Sequence, residues 1–261
     1  MVDFSNVFSY NRRFTGLPPY QDISSWSMQH GIVFNNMFYH ATEFQGNLSQ
    51  WDMRSARSLT KMFAHADKFA PNIADGTTLK SWDTSKVSDF SFMFHETKLF
   101  NDAGLSDWDV SDGLNFQSMF QNAEKFNAPL ADWQIFNAID TSNMFTSASS
   151  FNQNISQWNI ENVITMSGMF NEATEFDQDV TTWEIPKQME DMSLLFRRTK
   201  LNHDYCDWSN QISNTTKIGR MFFRTNCEIQ TDPEPNATTG LLHGPFCYDC
   251  YADGLIGPPS G

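Results

Sequence analysis

Residues 156–176 read "SQWNIENVITMSGMFNEATEF", and this stretch determines the fold class that the sequence predicts. Trp158 and Ile160 are two residues apart, and the apolar positions from Val163 to Phe176 are spaced mostly by three. An amphipathic helix repeats every 3.6 residues and a strand every two, so neither accounts for the whole pattern. We expect a short strand at Trp158 and Ile160 with both side chains inward, followed by one or two turns of helix or 3-10 helix.

The same pattern recurs in register along the chain. The eight tryptophans are separated by 25 or 26 residues, apart from one interval of 31: Trp26, Trp51, Trp82, Trp108, Trp133, Trp158, Trp183 and Trp208. A Met-Phe pair follows eleven residues after each of the first six, and another Phe follows each of these six after eighteen residues. One such repeat cannot bury its apolar edge alone, whereas stacked repeats can.

We therefore predict a repeat solenoid of the leucine-rich-repeat-like class, with about eight coils of 25 residues. Short parallel β-strands stack in one sheet, joined by short helical or 3-10 returns. The solenoid is expected to cover residues 1–226, with degenerate first and last coils, and residues 227–261 to form a cysteine-containing C-terminal cap and linker. Asn101, Asn127 and Asn152 each follow a repeated Phe and are expected to satisfy backbone groups at a corner between coils.

The stretch "FNQNISQWNIENVITMSGMFNEATEF", residues 151–176, resembles the 26-residue repeat of the BspA-like leucine-rich-repeat surface proteins. The resemblance covers about residues 4–226 and departs from the family pattern at Phe136 and Pro186, where that pattern has small polar residues. It implies a surface or secreted scaffold of the adhesion type. It transfers no catalytic residues, because known members of the family share none.

Composition excludes several classes of partner. Acidic residues outnumber basic ones 31 to 17, which gives a formal charge of −14. A chain this acidic repels nucleic acid and anionic membrane surfaces and favours cations or basic partners. It contains no run of about 18 apolar residues, so we expect no direct membrane insertion.

The four cysteines lie in the last quarter of the chain: Cys206, Cys227, Cys247 and Cys250. Their position predicts a disulfide-stapled cap and an extracellular or cell-surface protein. The alternative is a zinc site with all four cysteines as ligands, because "CYDC" is a C-x-x-C pair, and the sequence does not select among the three disulfide pairings. Four sequons mark glycosylation candidates on the same hypothesis: Asn47, Asn154, Asn214 and Asn236.

Acidic residues recur next to the tryptophans, at positions predicted to point away from the core. We assign ligand binding to residues one before, one after or three after a Trp: Asp52, Asp83, Asp107, Asp109, Asp132, Phe136, Glu161 and Glu184. Arg54 is the one basic residue in these positions. Asp83, Asp107, Asp109 and Asp132 are expected to converge on one cation, with Ca²⁺ favoured, or on basic side chains of a partner. The alternative is a solubilising face whose aspartates bond neighbouring backbone.

Other candidates for chemistry are weaker. His40 and His65 occupy the same repeat position, but no third ligand has a recognisable spacing, so we predict no metal site and no cofactor other than the Ca²⁺ just mentioned. The repeated methionines beside Phe are expected to be core. No motif of a hydrolase, kinase or metalloprotease is present, so we expect no enzyme.

These observations favour a non-enzymatic extracellular or cell-surface recognition and adhesion scaffold that binds a protein or glycan partner of basic character. One alternative is a structural subunit of a surface layer or appendage, in which copies self-assemble. Another is a carbohydrate-active or ice-binding solenoid. Ice binding is disfavoured because the predicted face mixes acids, Gln, Phe and Pro instead of carrying regular Thr arrays.

Overall fold

The computed structural model of the chain describes residues 2–250. Regular secondary structure is sparse: strands β1 (Val2–Asp3), β2 (Gly31–Val33), β3 (Glu234–Pro235) and β4 (Leu242–His243), and 3-10 helices Ile73–Asp75, Ala103–Asp107 and Cys206–Asn210. No α-helix occurs among the described residues. In the same part of the chain, no helix has the length and apolarity that a membrane crossing requires.

Successive repeats contact each other through single parallel β-bridges. Beyond the pairing of β1 with β2, one residue in each repeat pairs with its equivalent in the next: Val33, Ser58, Asp89, Asn115, Asp140, Thr165, Asp191 and Lys217. These residues follow their Trp by seven to nine positions. The expected strand at Trp158 and Ile160 is therefore misplaced, because the parallel pairing of that repeat occurs at Thr165.

The segment after each bridge consists of two consecutive turns. Alternate amides donate to carbonyls of the next repeat, as in Lys61 to Ser91 at 2.9 Å, while the amides between them bond back three residues, as in Met62 to Leu59 at 3.0 Å. A continuous helix cannot form here because half of its amides are used between repeats. Lys61 and His65 have φ of 56° and 59°, so each of the two turns uses one residue in the left-handed region.

The apolar positions identified in the sequence are buried in one continuous cluster. Phe63 stacks on Phe94 of the next repeat with 5.6 Å between ring centroids, and on Phe69 of its own repeat at 4.1 Å. Seven of the eight tryptophans are at most 3% exposed. Trp26 is 39% exposed, because the short first turn covers it only partly.

Each buried tryptophan also joins two repeats by a hydrogen bond. Its indole Nε1 donates to a main-chain carbonyl of the preceding repeat, as in Trp133 to Leu105 at 2.8 Å and Trp158 to Leu130 at 2.9 Å. All seven from Trp51 to Trp208 make this kind of bond. The bond pairs the indole N–H inside an apolar core, where an unpaired donor is costly. Most of the accepting carbonyls also have a main-chain donor, as Leu105 has the amide of Trp108 at 3.1 Å.

Asparagines also link neighbouring repeats, because their side-chain oxygens accept hydrogen bonds from main-chain amides of the next repeat. Asn101 Oδ1 accepts from the amide of Asn127 at 2.9 Å, and Asn127 Oδ1 accepts from the amide of Asn152 at 2.9 Å. Asn152 Oδ1 continues the series to the amide of Asp177 at 3.0 Å. The predicted role of these asparagines is confirmed.

The 31-residue interval contains a loop that a buried carboxylate holds in place. Asp102 accepts from Thr78 Oγ1 at 2.8 Å, from the amide of Leu79 at 2.6 Å and from the amide of Gly104 at 2.9 Å. The last bond caps the 3-10 helix Ala103–Asp107. Asp102 therefore connects the inserted loop to the helix that ends at Asp107.

The carboxyl-terminal segment packs on the last repeat through two disulfides, Cys206–Cys250 and Cys227–Cys247. No cysteine of the chain remains free, so the alternative zinc site has no ligands in this structure. Strands β3 and β4 form a small antiparallel pair in this segment. The part of the expected cap and linker from residue 251 onward lies outside the described residues.

Replacing Trp133 by Phe should lower the free energy of unfolding by about 1–3 kcal/mol, because the smaller ring leaves unfilled space in the core and the carbonyl of Leu105 loses one of its two donors. Chemical denaturation measures the change. The same replacement at Trp26, which is partly exposed, should have a smaller effect. Equal losses at the two positions would show that the indole hydrogen bond between repeats contributes little.

Proteolysis without reduction should yield two linked peptide pairs, one joining Cys206 to Cys250 and one joining Cys227 to Cys247. Mass spectrometry of the digest identifies them, and reduction should release all four peptides. A pair that joins Cys247 to Cys250 would contradict the arrangement described above.

Candidate functional site

Three open grooves follow one edge of the molecule, formed by the residues from two before to three after each tryptophan. We call this surface the tryptophan edge. The grooves lie at Trp51, Trp108 and Trp158 and have volumes of about 420, 570 and 360 Å³. Each groove spans two neighbouring repeats.

All eight residues assigned to ligand binding line these grooves. Asp52 and Asp83 line the first; Asp107, Asp109, Asp132 and Phe136 the second; Glu161 and Glu184 the third. Asp52 and Phe136 are half-buried, and the other six are exposed. The structure thus distributes the predicted residues over three similar grooves and does not gather them in one site.

The aspartates that directly follow a tryptophan are engaged with their own backbone. Asp83 Oδ1 accepts from the amide and the hydroxyl of Ser85 at 3.1 and 2.6 Å, and Asp109 Oδ1 accepts likewise from Ser111 at 3.0 and 2.6 Å. These are Asx turns, in which a side chain replaces a backbone acceptor. The amides of Ser85 and Ser111 are therefore bonded within their own repeats.

Side-chain amides connect the repeats along the tryptophan edge instead. Asn137 Nδ2 donates to the carbonyl of Ser111 at 2.8 Å, and Asn162 Nδ2 donates to the carbonyl of Phe136 at 2.7 Å. These bonds hold neighbouring groove walls at a constant separation. The grooves therefore lie between neighbouring repeats, at Trp51, Trp108 and Trp158.

Two basic side chains reach the acids of this edge. Arg54 pairs with Asp52, and Lys80 Nζ lies 3.0 Å from Asp107 Oδ2. The hydrogen bond from each basic group is the main cause that lowers the pKa of Asp52 and of Asp107. Lys80 was missed because it lies two residues before Trp82, outside the positions considered in the sequence. Within residues 2–250, the remaining acids of the grooves have no basic group within 4.0 Å: Asp83, Asp109, Asp132, Glu161 and Glu184.

The expected convergence of four aspartates on one cation is wrong. Among the described residues, a single group of three or more His, Cys, Asp and Glu side chains has its ligand atoms within 4.8 Å of one another, and it contains none of these aspartates. That group is His65, His95 and Glu96. Asp83 and Asp109 lie in separate Asx turns, and Asp107 pairs with Lys80, so these carboxylates do not converge.

The histidines lie at a corner away from the tryptophan edge. His40 and His65 stack with 4.1 Å between ring centroids and 5° between planes, as expected for equivalent positions in neighbouring repeats. The sequence reasoning missed His95 and Glu96, which follow Trp82 by thirteen and fourteen residues. Glu96 occupies the same repeat position as His40 and His65, and this common spacing was the signal available in the sequence.

The sequons differ in accessibility. Asn154 is exposed, while Asn47, Asn214 and Asn236 are half-buried. The side chains of Asn47, Asn154 and Asn236 each accept a hydrogen bond from the amide two residues on. Asn154 has the most open position for a glycan among the four.

Replacing Lys80 by Gln should raise the pKa of Asp107, because the hydrogen bond from Lys80 is its largest cause of lowering. Carboxyl ¹³C NMR titration measures this pKa in the variant and in the parent protein. Asp52 serves as the internal control: its pKa is lowered by Arg54 and should not change. An unchanged pKa at Asp107 would show that Lys80 does not engage it in solution.

Comparison with curated proteins returned no match, and neither did comparison with solved structures. A family described as "Mycoplasma protein of unknown function, DUF285" matches the chain over residues 1–76, 73–183 and 137–232. These three segments overlap and together span residues 1–232. The chain belongs to the DUF285 family.

Proposed function

We propose that the chain is a non-enzymatic recognition and adhesion scaffold that works outside the cell or at its surface, as a leucine-rich-repeat-like solenoid of the BspA-like kind. Its partner is a protein or a glycan with basic groups. The ligand lies along the tryptophan edge and contacts several repeats at once.

The recurrence of the acid-lined grooves carries this proposal. The three grooves are similar in size and lining, and each presents carboxylates to solvent. Five of the seven acids lack a basic partner within the described chain, so their negative potential is available to a ligand. An extended partner with several Lys or Arg side chains can occupy successive grooves, and each added contact strengthens binding through proximity.

The location is supported by the two disulfides. Disulfides persist in oxidising surroundings and are rare in reducing ones. Here they connect the carboxyl-terminal segment to the repeat of Trp208. A staple at the end of a stack is consistent with a repeat protein exposed to unfolding and proteolysis.

Binding to the tryptophan edge should weaken when Asp83 and Asp109 are both replaced by Asn. Asn keeps the side-chain oxygen that accepts from Ser85 and Ser111, so the Asx turns remain while two charges are lost. The parent protein is first applied to a protein and glycan array, and binders are then measured with the double variant. Binding should also fall as salt rises from about 0.05 to 0.5 M, because exposed charges are screened beyond about 10 Å at 0.1 M.

A charge-matched control replaces Glu124 and Glu175 by Gln. Both are exposed acids outside the tryptophan edge, and each has a lysine partner, Lys98 at 3.9 Å and Lys200 at 2.5 Å. This control removes the same net charge and should bind as the parent does. Equal weakening in both double variants would reduce the effect to net charge, and equal retention in both would leave the tryptophan edge without a binding role.

Exposed apolar side chains at the first repeat favour the structural alternative, in which copies assemble end to end. Six of the exposed large apolar residues lie in the first 26 positions: Val2, Val7, Tyr10, Leu17, Tyr20 and Trp26. Such a concentration is typical of contact surfaces. Light scattering over a range of concentrations tests this alternative, which requires growth into filaments or oligomers, whereas a monomer at all concentrations contradicts it.

A further inference from the structure

Three side chains with metal-binding atoms meet at the corner formed by the second turn of neighbouring repeats. His65 Nδ1 lies 3.0 Å from Glu96 Oε2, and His95 Nε2 lies 3.6 Å from Glu96 Oε1. The ligand atoms of all three residues fall within 4.8 Å of one another. Two imidazoles and a carboxylate thus face a common point.

These separations fit a small divalent metal. With metal–ligand bonds of about 2.0–2.2 Å, ligand atoms of a tetrahedral site lie about 3.3–3.6 Å apart. The two contacts with Glu96 already lie near that range. The two imidazoles are perpendicular, with 83° between their planes and 5.2 Å between their centroids, so their lone pairs approach from different directions.

The backbone that carries the ligands is held by hydrogen bonds between repeats. The amide of His65 donates to the carbonyl of His95 at 2.8 Å, and the amide of Glu96 donates to the carbonyl of Gln121 at 2.8 Å. His65 and Glu96 both adopt the left-handed conformation, with φ of 59° and 56°. This conformation belongs to the turns of every repeat, so it fixes where the two side chains start.

The side chains are oriented by their neighbours. His65 stacks on His40 at 4.1 Å, and His95 packs against the edge of Phe92 at 5.6 Å. The second nitrogen of His95, Nδ1, is buried without a hydrogen-bond partner in the described structure. The ring is therefore held by packing, and its Nε2 is directed at Glu96.

Lys61 is the basic residue that acts on His95, and it opposes a cation there. Arg12 and Asp67 act on His40, which stacks on His65 but is not one of the three ligands. Glu96 supplies the negative charge nearest to the point of convergence.

We propose that His65, His95 and Glu96 bind a divalent transition metal, with Zn²⁺ the best match, and leave a fourth position open. Imidazole nitrogen and carboxylate oxygen are ligands that Zn²⁺ accepts, and three protein ligands of this kind leave the fourth place for water or a partner's group. The side chains of His65 and Glu96 are 22% and 36% exposed, so solvent reaches the open position. This site is independent of the tryptophan edge and of its proposed partner.

Titration of the untagged protein with Co²⁺ tests the site, because tetrahedral Co²⁺ absorbs visible light strongly and Zn²⁺ displaces it. We expect one Co²⁺ per chain, lost on addition of one equivalent of Zn²⁺. Glu96→Gln and His65→Asn should each weaken binding at least about tenfold, since even residues that only orient a metal ligand typically contribute 10–100-fold. Both variants should retain the parent's circular dichroism.

A matched control should retain full affinity. His203→Asn removes a different histidine–carboxylate contact, His203 Nε2 to Asp177 Oδ1 at 3.4 Å. The proposal is overturned if the parent binds no stoichiometric metal, or if folded Glu96→Gln and His65→Asn variants bind as tightly as this control.

Discussion

The hydrogen bond from each buried indole to a carbonyl of the preceding repeat is the interaction on which the rest of the structure depends. A tryptophan here fills the space between repeats, and its buried N–H needs the carbonyl that the preceding repeat supplies. Trp133 makes both contributions with Leu105, and its equivalents from Trp51 to Trp208 repeat them. Packing and polar satisfaction therefore impose the same register on successive repeats.

The backbone hydrogen bonds of each repeat are divided between two regions, the tryptophan segment and the turns. With the tryptophan segment joined by side chains, its amides are bonded within the repeat by aspartates such as Asp83 and Asp109. Pairing between repeats moves to the turns, where alternate amides point along the stack.

Rows of equivalent side chains make a repeat protein a natural place for composite sites. When one repeat has a different residue type at a shared position, that side chain lies next to the equivalent side chains of the neighbouring repeats. Glu96 continues the row of His40 and His65, and Lys80 meets Asp107 at the tryptophan edge. These contacts form between side chains of two neighbouring repeats, so the sequence of a single repeat does not reveal them.

Apolar spacing made the buried positions predictable from the sequence. Columns of Trp, Met and Phe at a period of 25 identify inward residues, because only stacked repeats can bury them. The residues lining the grooves were also identified, since they flank the tryptophans. The location of the backbone pairing between repeats could not be identified from the sequence. One paired residue per repeat is too short to produce the alternation of apolar and polar residues that marks a strand.

The sequence by itself determined which residues are buried, which corner asparagines satisfy backbone, and that the tryptophan edge is acidic. The tertiary structure alone decided that Thr165 and its equivalents pair in place of the Trp-x-Ile segment, because pairing between repeats depends on which amides and carbonyls the turns bring together. It decided which cysteines are joined, since the path of the last segment over the final repeat sets their distances. It also decided that His65, His95 and Glu96 meet, because two left-handed turns in neighbouring repeats direct these side chains at one point.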